Sequence, residues 1–181
     1  LKDAVKGTGL GVWAYVHGVF DPVYLAMGLN DFSMKLYDDA GFIEKLMDEI
    51  LDVQCRIVEQ LVKLDLDFIH IGDDICTGTG LFVRPDVFRK MYVERTRQLI
   101  HPARDKGIPL TFHSDGKIDQ IIDMLVELGF CAMHPIEPYS NDIYEVKKKA
   151  GRRICLMGNI CLTSRSPEAI RSDVREHIAR L

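Results

Sequence analysis

Long hydrophobic runs and an excess of basic charge are both missing from this sequence. No uninterrupted apolar stretch approaches the roughly 20 residues that span a bilayer, and no signal peptide is visible. The 23 basic residues are outnumbered by 27 acidic ones, which gives a formal net charge of −4. This balance argues against nucleic acid or an anionic membrane as the main partner. We therefore expect a globular protein that binds neither.

Paired cysteine motifs are also absent, although five cysteines are present without CxxC spacing. Cys55 lies in a helical pattern, and Cys131 and Cys155 lie in strand patterns. We expect these three to be buried free thiols in a reducing cytoplasm. Cys161 differs because it lies beyond a predicted strand end.

Several common catalytic signatures are lacking. The sequence contains no Ser-His-Asp set, no HExxH zinc motif and no Rossmann glycine fingerprint. The loop at 76–80 is rich in glycine and threonine but lacks the Gly-Lys-Ser/Thr ending of a phosphate loop, so we predict a lid or cleft rim. The chain begins Leu-Lys-Asp without a methionine, so we expect an excised or processed piece of a longer protein.

Helix and strand signals alternate along the chain. Apolar runs predict strands at 10–19, 68–71, 108–112, 130–133 and 154–157. Apolar periodicity and capping residues predict helices after Asp39, from Pro85 to about Asp105, at 118–128, at 143–150 and after Ser166. Because the strands are continuously apolar, we expect both faces of the sheet to be buried. Five strand–helix units predict one α/β domain, either a doubly wound sheet or part of a (β/α)8 barrel, since a complete barrel needs about 250 residues.

Polar side chains follow four of the predicted strands, at 71–74, 112–116, 134–137 and 157–161. The carboxyl ends of parallel strands meet at one edge of a sheet, where such folds place their chemistry. His113 and Asp115 point to the same side of an extended chain and could share a divalent cation. Cys161 could add a sulfur ligand, as zinc accepts. The alternative is that His113 bonds Asp115 and holds the strand–helix turn.

Two further strand ends contribute candidate residues. Glu137 is either another ligand, an acid or base, or a solvated loop residue. His134 is expected to pack beside Pro135 and to bind nothing. Neighbours in a strand point opposite ways, so one of Asp73 and Asp74 faces the cleft while the other caps a turn.

Aromatic residues near the first predicted strand provide a possible binding surface. Tyr24, with nearby Phe20 and Trp13, could line a large planar ligand. From the residues alone, these three are more simply part of the core.

The order and spacing of several motifs resemble the uroporphyrinogen decarboxylase superfamily, which includes haem-pathway decarboxylases and zinc-dependent corrinoid methyltransferases. The motifs lie at 18–20, 24, 28, 36–39, 72–74, 84–85, 113–116, 145–147 and 157–160. The resemblance implies a (β/α)8 barrel with its cleft at the strand C-terminal ends. Residues 1–181 would be a single partial domain, the middle and late part of that barrel, with the opening strands and the last strand absent.

The sequence departs from both of these branches of the superfamily. The methyltransferase branch carries His-x-Cys-Gly, with the His and Cys on zinc, whereas this chain has His113 and then Asp115. Asp115-Gly116 are decarboxylase-like, and the substrate-contacting tyrosine of decarboxylases corresponds to Tyr24. Asn159 lies in the Gly-Asn motif. We expect it to contact substrate, as we also expect of Asp73 or Asp74.

The resemblance implies an enzyme whose cleft meets a tetrapyrrole or another small molecule. We favour metal-assisted methyl transfer, with zinc as cofactor and a corrinoid, or a corrinoid protein, as methyl donor. One alternative is a metal-free carboxy-lyase of tetrapyrrole biosynthesis, and another is a non-catalytic barrel remnant that binds a corrinoid protein or ligand. The open edges of a partial barrel predict that this segment alone dimerises, aggregates or is inactive.

Overall fold

The computed structural model describes residues 2–158 and 160–181, in which strands and helices alternate. The strands are β1 Trp13–His17, β2 Phe68–Gly72, β3 Cys76–Thr77, β4 Gly80–Leu81, β5 Leu110–His113, β6 Ala132–His134 and β7 Cys155–Leu156. The helices are α1 Lys2–Val5, α2 Asp21–Met27, α3 Leu29–Asp38, α4 Ala40–Leu61, α5 Pro85–Asp105, α6 Ile122–Leu128, α7 Ile143–Ala150 and α8 Pro167–Arg180. Across the described residues, no helix is both long and apolar enough to cross a membrane.

Local sequence signals set most of the helix boundaries. The Asp39 side chain accepts a hydrogen bond from the Phe42 N–H at the start of α4, and Ser166 caps α8 in the same way. Pro85 opens α5, as predicted. Helix α6 starts later than predicted because residues 118–121 form a turn. Helices α2 and α3 were not predicted, and they are separated by Gly28, whose φ of 83° ends a right-handed helix.

The main sheet within the described chain is parallel and contains β1, β2, β5, β6 and β7 in that order. Right-handed crossovers between strands taken in chain order place every connecting helix on the same face of the sheet. A helix follows each of these strands before the next one begins. The arrangement is part of a barrel and confirms the predicted α/β fold with about five strand–helix units.

The two faces of this sheet differ in burial. Side chains that face the helices, such as Ile71 and Phe112, have no solvent exposure. On the opposite face, here called the inner face, Trp13 is 50% exposed and Tyr15 is 47% exposed. The prediction that both faces are buried is therefore wrong at the edge strands β1 and β7, whereas the inner-face residues His70, Thr111 and Ala132 of the central strands are buried. Alternation and strand register place these residues on the inner face: Trp13, Tyr15, His17, Phe68, His70, Gly72, Thr111, His113, Ala132, His134 and Cys155.

The prediction for the cysteines also needs correction. Cys131 and Cys155 are exposed and not buried, whereas Cys55 is partly buried. Cys155 lies on the inner face of the edge strand β7, which helices do not cover. The loop at 76–80 is a small antiparallel hairpin in which Cys76 pairs with Leu81.

Candidate functional site

Three adjacent strands each direct a histidine from the inner face toward the carboxyl edge of the sheet. His113 and His134 are the last residues of β5 and β6, and they are direct partners in the strand register. His70 of β2 pairs with Thr111, two residues before His113. The three imidazoles are therefore brought together by regular parallel pairing.

The histidine side chains form a compact cluster, here called the histidine cluster: His70, His113 and His134. One ring nitrogen from each lies within 4.8 Å of the others. The Nδ1 atoms of His113 and His134 are 2.8 Å apart, and their rings stack with centroids separated by 5.1 Å. His70 Nδ1 lies 2.6 Å from Thr111 Oγ1, so its Nε2 is left for a ligand.

The surroundings of the histidine cluster favour neutral imidazoles. Burial, followed by the nearby His113 and His134, lowers the pKa of His70 to about 4. Burial and His113 also lower the pKa of His134. Neutral imidazole is the form that binds a metal ion, so these two side chains are ready to act as ligands near pH 7.

The donor set of the histidine cluster fits a zinc ion. Three protein ligands with an open fourth position are typical of catalytic zinc, and three histidines are one of the known sets. Zinc–nitrogen bonds of about 2.0–2.1 Å require the His113 and His134 nitrogens to separate slightly from their present hydrogen bond. A bound cation would replace the proton that these nitrogens share.

Two carboxylates lie on the other side of His113. Its Nε2 is 3.5 Å from Asp74 Oδ1 and 3.9 Å from Asp115 Oδ1. The Asp115 N–H donates to Asp74 Oδ1 at 2.9 Å, which fixes Asp74 beside the ring. Burial and the charge of Asp74 raise the pKa of Asp115. The structure thus brings together the predicted pair of His113 and Asp115 and adds Asp74 to it.

Cys161 joins neither of these groups. Its Sγ lies 3.0 Å from the Tyr139 hydroxyl, and no described cluster of possible metal ligands includes it. The hydrogen bond with Tyr139, followed by one with the backbone of Thr163, lowers the pKa of the Cys161 thiol. The set of His113, Asp115 and Cys161 is therefore not assembled, and the role of Cys161 as a ligand stays a prediction.

Glu137 braces the turn that follows β5. Its Oε2 accepts hydrogen bonds from the Gly116 N–H at 3.0 Å and from the Ser140 hydroxyl at 3.2 Å. Gly116 has a φ of 87°, and a Cβ there would lie 2.4 Å from the Thr77 carbonyl oxygen. Any side chain at this position would therefore strain the backbone, and Glu137 holds that backbone beside the histidine cluster.

Asp73 and Asp74 have different surroundings, as the alternation of a strand requires. Asp73 has no solvent exposure and accepts backbone N–H bonds from Val19, Phe20 and Asp21, of which the shortest is 2.6 Å. It therefore fixes the turn between β1 and α2. Asp74 is the member of the pair that faces the histidine cluster.

The aromatic residues do not form the predicted ligand wall. Phe20 is buried in the core, and Trp13 stacks on Phe68 with a centroid distance of 5.4 Å, in β1 and β2. Tyr24 packs against Phe82, and its hydroxyl donates to the Asp74 carbonyl oxygen at 3.2 Å. Asn159, also expected to contact substrate, lies outside the described residues.

The carboxylates near the histidine cluster are not neutralised by basic side chains. Among the described residues, no lysine or arginine nitrogen lies within 4.0 Å of any of them, and their ion-pair partners are histidines. They are Asp21, Asp73, Asp74, Asp115 and Glu137. The site therefore favours a cation or a neutral ligand over a polyanion.

Two of the three clustered histidines were not predicted from the sequence. His70 was read as part of a buried apolar strand, and His134 was expected to bind nothing, although its ring contacts His113. A usable signal was present: Tyr15 and His17, and likewise Thr111 and His113, occupy alternate strand positions. This alternation indicates an inner face of polar and aromatic side chains.

Comparisons with known proteins agree with this architecture. The fold is similar to that of a methyltransferase from Methanosarcina mazei, with a TM-score of 0.77 and 18% sequence identity. The match covers 98% of this chain and 52% of the methyltransferase, so the chain spans about half the length of that protein. A search of the curated proteins finds no match. The family model for uroporphyrinogen decarboxylase (URO-D) matches residues 5–181, and the chain therefore belongs to the URO-D family.

Proposed function

We propose that this chain carries the metal-binding part of a zinc-dependent methyltransferase that moves a methyl group from a corrinoid to a small acceptor. One observation carries the proposal: three imidazoles from three neighbouring strands converge within 4.8 Å at the carboxyl edge of the sheet. His70, His113 and His134 would hold the ion. Bound zinc would lower the pKa of the acceptor and so make it a better nucleophile at neutral pH.

The residues around the histidine cluster would orient these ligands. Thr111 holds the Nδ1 side of His70, which directs Nε2 toward the cluster. Asp74 lies beside Nε2 of His113 and would accept its N–H when Nδ1 binds the ion. A carboxylate behind a metal-bound histidine fixes the tautomer and strengthens the ligand. Glu137 and Gly116 keep the adjoining turn rigid.

Metal-free decarboxylation of a porphyrinogen is the second candidate function. The family match and the retained Asp115-Gly116 pair favour it. The charge of the site favours methyl transfer, because a substrate with many carboxylates would meet Asp74, Asp115 and Glu137. No described lysine or arginine lies within 4.0 Å of these three to offset the repulsion.

A metal titration tests the first proposal. We expect the protein to bind about one zinc ion per chain in competition with a chromophoric chelator. His134→Gln should lower the affinity at least about 100-fold, since a direct ligand is lost. His101→Gln is the matched control, because His101 is exposed on α5 and pairs only with Asp105. Absence of zinc binding would overturn the histidine cluster as a metal site.

Two further measurements separate the alternatives. Cys161→Ser should bind zinc as tightly as the unchanged protein, and a large loss of affinity would make Cys161 a ligand after all. Demethylation of methylcobalamin by a thiol, abolished by a chelator, is the expected activity. Decarboxylation of uroporphyrinogen that persists in the chelator would instead support the second candidate.

A further inference from the structure

A buried carboxylate lies behind an exposed histidine at the end of β1. His17 is the last residue of β1, and its side chain is 52% exposed. Asp21, the first residue of α2, is only 5% exposed. His17 Nδ1 and Asp21 Oδ1 are 3.8 Å apart. Among residues 2–158 and 160–181, Asp21 Oδ1 has no hydrogen-bond partner.

The backbone of Asp21 is held by hydrogen bonds, whereas the side chain of His17 is half-exposed. Asp73 accepts the Asp21 N–H at 2.6 Å and also the N–H groups of Val19 and Phe20. A buried carboxylate oxygen without a donor is costly, and the nearest imidazole N–H can supply that donor. A rotation of the His17 ring that shortened the 3.8 Å separation would supply this donor.

The strand register places His17 in the same row as two members of the histidine cluster. His17 pairs with Gly72, Gly72 pairs with His113, and His113 pairs with His134. Neighbouring strands are about 4.8 Å apart, so the backbones of His17 and His113 are separated by about 10 Å. Gly72 is the residue of this row that lies between them.

Gly72 has no side chain to place between His17 and His113. A Cβ at Gly72 would lie 1.9 Å from the Tyr15 hydroxyl oxygen, so this hydroxyl lies over the glycine backbone. The Tyr15 ring also packs edge-on against the His17 ring, with centroids 5.1 Å apart. Tyr15 therefore fills the space next to the sheet between His17 and His113. Tyr15 is 47% exposed, and the open groove above it, which His17 and His113 border, is here called the slot.

We propose that His17 and Asp21 form a proton-accepting pair that faces the histidine cluster across this slot. Nδ1–H of His17 donates to Asp21, and Nε2, on the far side of the ring, presents its lone pair to the slot. The inference rests on the proposed function for its substrate class, a small acceptor with an ionisable X–H group such as a thiol. The X–H bond breaks, the proton moves to Nε2 to give an imidazolium, and the electron pair stays on the acceptor atom.

Asp21 is a positioning residue in this proposal, because it acts only through His17. The contact between His17 and Asp21 has a matched control on the opposite side of the sheet. His101 and Asp105 have the same spacing along the chain, with Nδ1 and Oδ2 3.0 Å apart, but both are exposed on α5. A buried carboxylate should fix the histidine tautomer more strongly than an exposed one.

Long-range ¹H–¹⁵N NMR of the histidine rings in the full chain tests this pair, with the His17 signals identified from a His17→Gln sample. At pH 8 we expect His17 to carry its proton mainly on Nδ1. Asp21→Asn should shift the tautomer ratio of His17 about tenfold toward Nε2–H, which corresponds to about 1.4 kcal/mol. Asp105→Asn should leave the His17 signals unchanged. A predominant Nε2–H tautomer in the unchanged protein would overturn the pair, whether or not Asp21→Asn folds.

A zinc titration of the same samples separates this inference from the proposed function. Asp21→Asn should bind zinc with unchanged affinity, because neither His17 nor Asp21 belongs to the histidine cluster. Loss of zinc affinity in Asp21→Asn would assign Asp21 to the metal site and so overturn its role as a partner of His17 alone. An Nδ1–H tautomer in a protein that binds no zinc would support the pair and refute the proposed function. Zinc binding in a protein whose His17 carries its proton on Nε2 would support the proposed function and refute the pair.

Discussion

His113 and His134 share one hydrogen bond between their Nδ1 atoms, which lie 2.8 Å apart on neighbouring strands. One ring must donate and the other accept, so the pair holds one Nδ1 proton. A cation bound by both nitrogens would leave no proton on either Nδ1, and each ring would then carry its proton on Nε2. On His113 that position lies 3.5 Å from Asp74. Asp74 would then accept the N–H of His113 without touching the cation, which would couple metal binding to this carboxylate.

Asp74→Asn should lower zinc affinity by about 10–100-fold, the usual effect of removing a carboxylate behind a histidine ligand. Competition titration measures the change, and Asp105→Asn on the outer surface is the control. An unchanged affinity in Asp74→Asn would contradict the coupling. If Asp115→Asn has the larger effect, then Asp115 is a direct ligand, as the sequence analysis predicted.

His70 should make the stability of the protein depend on pH. Its pKa is about 4 in the folded chain and 6.5 when unperturbed, so the unfolded chain takes up the proton first. The free energy of unfolding should therefore fall as the pH falls from about 6.5 to about 4. We expect a loss on the order of 1–3 kcal/mol after solvent screening.

Urea unfolding of His70→Asn across this pH range measures the contribution. The variant should show a flatter dependence below pH 6.5, whereas His101→Gln should follow the unchanged protein. Burial raises the pKa of Asp21 and Asp73. These two groups have the opposite effect, since their contribution to the free energy of unfolding falls as the pH rises. Parallel curves for His70→Asn and the unchanged protein would refute the prediction.

Asp73→Asn should destabilise the fold by about 2–4 kcal/mol. The carboxylate accepts N–H groups from Val19, Phe20 and Asp21, and an amide would turn a donor toward at least one of them. Denaturant midpoints measure the loss, with the exposed Asp105→Asn as the control. A variant with wild-type stability would show that the turn between β1 and α2 does not depend on this charge.

Gly116→Ala and Gly107→Ala form a matched pair. Both glycines have positive φ, at 87° and 67°, but only Gly116 has a neighbour in the way, the Thr77 carbonyl oxygen. Gly107→Ala should cost about 1–2 kcal/mol from backbone conformation alone. Gly116→Ala should cost about 1–3 kcal/mol more, because the backbone of the hairpin must shift. Equal losses in thermal unfolding would contradict the close approach.

The sequence predicted those elements whose ends carry strong local signals. Pro85 at the start of α5, and Ser166 before α8, correspond to the observed boundaries. Helices α2 and α3 were missed because Gly28 divides a short segment into two pieces, neither long enough to show periodicity. Periodicity alone did not distinguish a barrel from a doubly wound sheet, and the family resemblance predicted the barrel.

The site was predicted less completely, for a physical reason. Strands of three to five residues show too few alternations to separate two faces, so His70 was taken as one more residue of a buried strand. Which histidines meet depends on register between strands that are distant in sequence. Cys161 lies beyond β7 in a segment that no strand pairing positions, so its distance from His113 could not be predicted from order along the chain.

The exposed inner face gives the protein a built-in optical probe. Trp13 is the single tryptophan of the sequence, and it lies half-exposed on that face, stacked on Phe68. Its emission wavelength and its quenching by acrylamide therefore report how exposed this surface is to water. Any segment, second copy or ligand that covers the inner face should shift the emission to the blue, without a label or an engineered residue.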